Sequence, residues 1–328
     1  MSAESNASAG SRVTAGTRAA ASGAALGALG VLGFSFSLPA TKVAVEALDP
    51  WFVAFGRAVV AALLAVAVLA ITRAPWPTRV QWRRLAIVAA GVVAGFPLFS
   101  SLAMQSVDAS HGAVVIALLP AATAVAAVLR GGERPSRAFW AAALAGMAVV
   151  LAFTLAQGAG SLGLADAWLL AAVVLCALGY AEGGALAREL GGARTICWAL
   201  VLSAPVSIAI AAATTTGAGD APLDAWLGFA YVSAVSMFLG FFAWYAGLAR
   251  GGVARISQVQ LAQPLLTLLW SALILGEHVG PGTLVAAAAV LACVAATQRA
   301  RVTVAAPTWQ DAGPCPSTPA PSASASRP

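Results

Sequence analysis

Residues 119–133 read LPAATAVAAVLRGGE, and residues 263–277 read QPLLTLLWSALILGE. In both, a proline near the start of an apolar run precedes a Gly-Glu pair by the same spacing: Pro120 before Gly132-Glu133, and Pro264 before Gly276-Glu277. A further run rich in Ala, Val and Leu follows each pair. The offset between the copies is constant, so the chain is expected to be built from one unit written twice.

The wider sequence identifies the solvent of that unit. Of 328 residues, 60% are hydrophobic and 9% are charged, and mean hydropathy is +0.88. A soluble domain carries about 25% charged residues because its surface faces water. A chain this poor in charge has to turn its apolar residues toward lipid. Lipid offers the backbone no hydrogen bonds, so only helices and closed barrels span it. The apolar stretches run to about 17–24 residues without period-two alternation, which favours helices over barrel strands.

Ten spans are expected, at residues 20–40, 50–71, 85–104, 111–129, 138–156, 166–187, 196–213, 225–248, 256–275 and 283–298. Net charge is +6, with Lys42 the only lysine. Arg73, Arg79, Arg83 and Arg84 fall in one loop, and Arg130, Arg134 and Arg137 in another. Arg188 and Arg194, then Arg250 and Arg255, then Arg299, Arg301 and Arg327 lie on that same side. The opposite loops hold Asp49, Asp108, Asp166, Asp220, Asp224 and Glu277, with Lys42 as their only base. Basic loops face the cytoplasm, so both termini are expected inside, and the basic excess records topology, with no nucleic-acid partner. Trp51, Trp168 and Trp226 near outer ends, and Trp82, Trp140 and Trp198 near inner ends, agree with interfacial belts.

Five spans separate the two copies, so they are expected to lie in opposite orientations. The charges agree: three arginines flank Glu133, whereas the loop at Glu277 has no Arg or Lys. The expected fold is an all-α integral membrane protein, with ten transmembrane helices in two inverted five-helix repeats around a central cavity. Residues 1–18 are expected as a disordered cytoplasmic N-terminus, 19–156 and 157–300 as the repeats, and 301–328 as a disordered cytoplasmic tail.

These same residues carry a family resemblance. Pro…Gly-Glu-Arg-Pro, its partner Pro…Gly-Glu-His, and Gly-Tyr-Ala-Glu-Gly-Gly at 179–184 resemble EamA-like permeases of the drug/metabolite transporter superfamily, over roughly residues 20–298. The resemblance implies a two-repeat carrier of a bacterial inner membrane, often an exporter of amino acids, related metabolites or toxic compounds. It supports an arginine in the second span without fixing its role. The partners expected are a small-molecule substrate and the lipid bilayer, with the chain a monomer or a homodimer.

Polar residues inside apolar spans are the candidate site. Arg57, about two turns into the second span, reads either as a clamp for an anionic group or as a snorkelling residue paired with Glu46 or Asp49. Glu182 reads as the seat of a coupling proton or as a partner of Arg188 or another inner arginine, with Tyr180 nearby on the same cavity. His111 is a pH-responsive group or a solvated helix start, and His278 lies in an outer loop. Gln258, Gln260 and Gln263 line the cavity or hydrogen-bond between helices. Pro120 and Pro264 kink their helices, in the service of alternating access or of architecture alone. Glu133 and Glu277 are expected near the positive start of the next helix, and Gly23/Gly27, Gly91/Gly95 and Gly179/Gly183 at close helix contacts.

Cys176, Cys197 and Cys293 read as small hydrophobes, and Cys315 lies in the tail. Residues 158–163, Gly-Ala-Gly-Ser-Leu-Gly, match a dinucleotide fingerprint but fall between membrane spans, where it has no meaning. With no P-loop and no HExxH, no ATP-driven step, zinc chemistry, cofactor or metal is expected. The leading expectation is therefore a secondary transporter that exports small metabolites by alternating access, driven by protons or by the substrate's own gradient. A lipid-linked precursor flippase, an uptake carrier, a non-transporting membrane subunit and a membrane-embedded enzyme are the alternatives.

Overall fold

Helices α1 to α10 follow one another along the chain at Ser22–Val45, Pro50–Ile71, Arg79–Met104, Ala109–Leu129, Arg137–Gln157, Leu164–Leu190, Gly192–Ala213, Leu223–Arg250, Val259–Ile274 and Pro281–Arg299. The structure is a computed structural model that describes residues 22–131, 134–157, 163–215, 218–251, 256, 259–299 and 302–303. Seven of the helices are long and apolar enough to cross a membrane; α5, α9 and α10 are apolar over shorter lengths. Apart from a two-residue antiparallel pairing of Arg134–Pro135 with Val302–Thr303, the regular structure among the described residues is helical.

Local chemistry sets the helix ends. Asp49 caps α2 by accepting hydrogen bonds from Trp51 N (2.8 Å) and Phe52 N (3.2 Å), with Pro50 in the first turn. Thr78 and Gln81 form a reciprocal capping box that starts α3 at Arg79, within a polar stretch that hydropathy alone leaves outside the span. Lys42 corrects its expected position. It belongs to α1, not to an outer loop, and its Nζ donates to Met104 O and Val107 O, both at 3.1 Å, satisfying carbonyls at the end of α3.

The helices pack in cross-linked pairs: α2 on α7, α5 on α10, α3 on α6 and α1 on α8, with α4 against both α6 and α9. Lipid tails are as apolar as leucine, so close van der Waals approach does the work that hydrophobicity does in water. At the α3–α6 crossing, a Cβ on Gly91 would stand 2.4 Å from Leu175 O and 3.0 Å from Gly179 Cα. At the α1–α8 crossing, a Cβ on Gly247 would stand 2.8 Å from Gly27 N.

Five of the helices that border the middle of the bundle are irregular there, whereas α2 and α6 run through it unbroken. Pro39 has no N–H for the Ser35 carbonyl, α1 breaks at Phe36, and Thr267 Oγ1 of α9 donates to Ser35 O at 2.7 Å. Helix α4 loosens at Ala117–Leu118 ahead of Pro120, and α9 opens with a 3-10 turn, Val259–Leu261, ahead of Pro264. Helices α3 and α8 carry π-helical segments at Ala89–Gly95 and Val232–Leu239. Such segments are uncommon and collect at functional positions.

Gly91→Val is expected to destabilise by more than the usual ~1–3 kcal/mol of overpacking, because the atoms it meets are backbone. Thermal unfolding in detergent should show a lowered midpoint for Gly91→Val and none for Gly219→Ala, where nothing lies within 4 Å. An unchanged Gly91→Val midpoint would mean that the α3–α6 crossing is looser than described.

Candidate functional site

The irregular segments enclose two small adjoining cavities, of about 20 Å³ and about 10 Å³ of free volume, which share Leu38 and Gln263. Volumes of this size hold a water or two. The larger is walled by Phe34 and Ser37 of α1, Val92 and Phe96 of α3, Cys176 and Tyr180 of α6, and Ser236 and Phe241 of α8. Arg57 of α2 and Gln263 of α9 complete its polar lining. Ser37 Oγ donates to Ser236 Oγ at 2.7 Å across it, joining α1 to α8. The smaller cavity lies against Gln260, Pro264 and Pro120.

Arg57 is 2% exposed and makes no ion pair with Glu46 or Asp49, the partners considered from sequence. Asp49 is engaged at the start of α2. The Arg57 Nε has no hydrogen-bond partner among the described residues, nor do the two amide atoms of Gln260 or the Oε1 of Gln263. A buried charge or amide left this way costs free energy on the scale of kcal/mol. Chemically, guanidinium, amide and hydroxyl groups beside aromatic faces suit a small polar solute with an apolar part.

The structure thus brings together Arg57, Tyr180, Gln260, Gln263, Pro120 and Pro264. Glu182 and His111 stand elsewhere. Glu182, fully buried on α6, accepts from Arg84 Nε of α3, one of the other arginines that the sequence reading allowed beside Arg188, and Arg84 also holds Glu189. His111 Nε2 lies 2.7 Å from Asp166 Oδ1, and the other oxygen of Asp166 accepts from Gly163 N at 3.0 Å. This pair ties α4 to α6 at the acidic end of the bundle. His278 is exposed.

Glu277 corrects another expectation. Gly276 turns the chain with φ +65°, and the Glu277 carboxylate then accepts from Ala109 N and Ser110 N, both at 2.8 Å. It caps α4, not the following α10; Asp108, the residue at the cap position of α4, makes no side-chain cap bond. Glu133, Gln258 and most of the 158–163 loop lie outside the described residues.

Sequence reasoning passed over Ser37 and Ser236 and read Cys176 only as a small hydrophobe. For Cys176 and Ser236 a signal was present. Cys176 is one turn before Tyr180 on the same face of α6. Ser236 follows Val92 by the same interval that separates Gln263 from Leu119 and Pro264 from Pro120.

The EamA-like transporter family matches this sequence twice, over residues 21–155 and 163–297. The uncharacterized transporter YdeK of Bacillus subtilis (strain 168) is 48% identical over 274 residues, covering 83% of this chain and 96% of its own. A protein of known crystal structure shares the fold at TM-score 0.58 and 19% identity, over 84% of this chain and 98% of its own.

Arg84→Ala removes the guanidinium from a fully buried carboxylate, a change that costs about 3–5 kcal/mol when a buried pair loses one member. The thermal midpoint should drop sharply in Arg84→Ala and recover in large part when Glu182→Gln is added. Additive losses in the double variant would mean that the two side chains are not coupled.

Proposed function

This chain belongs to the EamA-like transporter family, a family of membrane transporters, and from that membership we propose that it is a secondary carrier exporting small metabolites by alternating access. The observation that carries this reading is a small buried cavity walled by Arg57 and Gln263, each with an unpartnered polar atom, beside a second cavity lined by the unpartnered amide of Gln260. A site of about 20 Å³ is too small for a metabolite, so binding requires the surrounding helices to move apart.

Counting α5, α9 and α10 as spans gives ten transmembrane helices, five in each of two inverted repeats. Three observations support the pseudo-two-fold relation this implies. Helices at equivalent ranks pair with each other, α2 with α7 and α5 with α10, and the α3–α6 pair has its counterpart in α8–α1. The π-helical segments occupy corresponding places in α3 and α8. Both segments, and both of the matched prolines, border the two cavities. Such irregular backbone at membrane depth is tolerated where it lines a cavity or is buried in protein, the usual setting of a carrier site.

In this reading the arginine-rich end and both termini face the cytoplasm of a bacterial inner membrane. Export draws on the proton gradient or on the solute's own gradient. A proton taken up at Glu182 acts on the Arg84 tie between α3 and α6, not on the cavity directly. The alternative of a lipid-linked substrate draws on an apolar crevice of about 350 Å³ between α4, α5 and α6, which has room for part of an acyl chain.

Reconstituted protein should exchange at least one solute from a panel of labelled amino acids and small metabolites in a counterflow assay. Arg57→Gln should slow that exchange at least ~10-fold, equivalent to about 1.4 kcal/mol. Glu182→Gln should keep counterflow and lose proton-driven accumulation. Folded protein that exchanges nothing on the panel would move the reading to the lipid-linked alternative.

A further inference from the structure

We propose that the solute held in the central cavity carries one monoanionic carboxylate, which Arg57 neutralises. The inference rests on the reading of that cavity as the carrier's solute site. Its foundation is a charge imbalance. No Asp or Glu lines either cavity, and Arg57 is the only Lys, Arg or His among their lining residues. The two buried acids nearest in sequence to the α6 wall are engaged elsewhere, Asp166 by His111 and Gly163, and Glu182 by Arg84.

The backbone acceptor that Pro39 frees is not open to Arg57. The Ser35 carbonyl left over by Pro39 is taken by Thr267 Oγ1. A desolvated guanidinium without a counter-charge is costly, so a ligand that supplies one negative charge gains most of that cost back. The guanidinium is a planar fork that matches a carboxylate with two parallel hydrogen bonds. A phosphate dianion would call for a second cation, and the lining has none. The unpartnered amides of Gln260 and Gln263 can serve the rest of the polar end, while Phe34, Phe96 and Phe241 face an apolar portion.

Cys176 provides a reporter that needs no knowledge of the solute, because its thiol lines the same cavity as Arg57. In a background with Cys197, Cys293 and Cys315 replaced by alanine, the rate of Cys176 modification is measured in nanodiscs. Anionic sulfonatoethyl and cationic trimethylammonium-ethyl methanethiosulfonates are compared, each scaled to its rate with free cysteine. The anionic reagent is expected to win at least ~10-fold, Arg57→Lys to keep the preference, and Arg57→Gln to bring the ratio near one. Benzoate should slow the modification, and benzamide at the same concentration should not.

Equal scaled rates with Arg57 present, or equal protection by benzoate and benzamide, would overturn the carboxylate assignment while leaving the carrier reading intact. If neither reagent reaches Cys176 in folded protein, the cavity does not open, and the carrier reading falls together with the assignment.

Discussion

Hydrocarbon cannot accept or donate a hydrogen bond, and every departure from regular helix in this protein has to answer to that. A missing N–H or a freed carbonyl facing lipid would cost several kcal/mol. The breaks in α1, α4 and α9 and the π-helical segments of α3 and α8 are accordingly gathered in the middle of the bundle. The carbonyl that Pro39 leaves without its usual donor meets a threonine hydroxyl from α9. Pro205 interrupts α7 away from the cavities, but the other irregular stretches gather with Arg57, Gln260 and Gln263 around them.

The two halves contribute to that cavity in matched fashion but not with matched charge. Val92 and Ser236 stand at one sequence interval, and Leu119 and Gln263 at the same interval, each pair on its wall. Counting the same interval from Arg57 reaches Val201 on α7, the helix that packs against α2. The repeated architecture therefore holds a site whose cation comes from one half alone.

Much of this was legible in the sequence because it depends on local composition. Apolar length predicted the helices, seven of which are long and apolar enough to cross a membrane, with 50–71 recovered to the residue in α2, and Arg57, Tyr180 and Gln263 stood out as rare polar groups in apolar runs. Groups that depend on distant partners were not legible. The lengthening of α1 that brings Lys42 to the end of α3 and the reach of Glu277 to the start of α4 both join residues far apart in the chain. Glu182 and His111 looked like Arg57 in sequence, since all three are polar groups in or at the ends of apolar runs. Arg84 and Asp166 set them apart, and only the fold shows which polar residues are already engaged. Ser37 and Ser236 escaped notice, and Cys176 passed as a small hydrophobe, for the opposite reason, because small residues of their kind are ordinary in membrane helices.

The cap that Glu277 places on α4 has an evolutionary side. Its two donors are main-chain N–H groups of Ala109 and Ser110, and every amino acid except proline supplies one. Those two positions can drift through the whole alphabet of side chains without unfastening the loop from the helix. The acceptor has no such freedom, since aspartate is one methylene shorter and glutamine carries no charge for the helix terminus. A contact between the two halves of the chain thus constrains a single codon, and sequence comparison would register only one of its two ends.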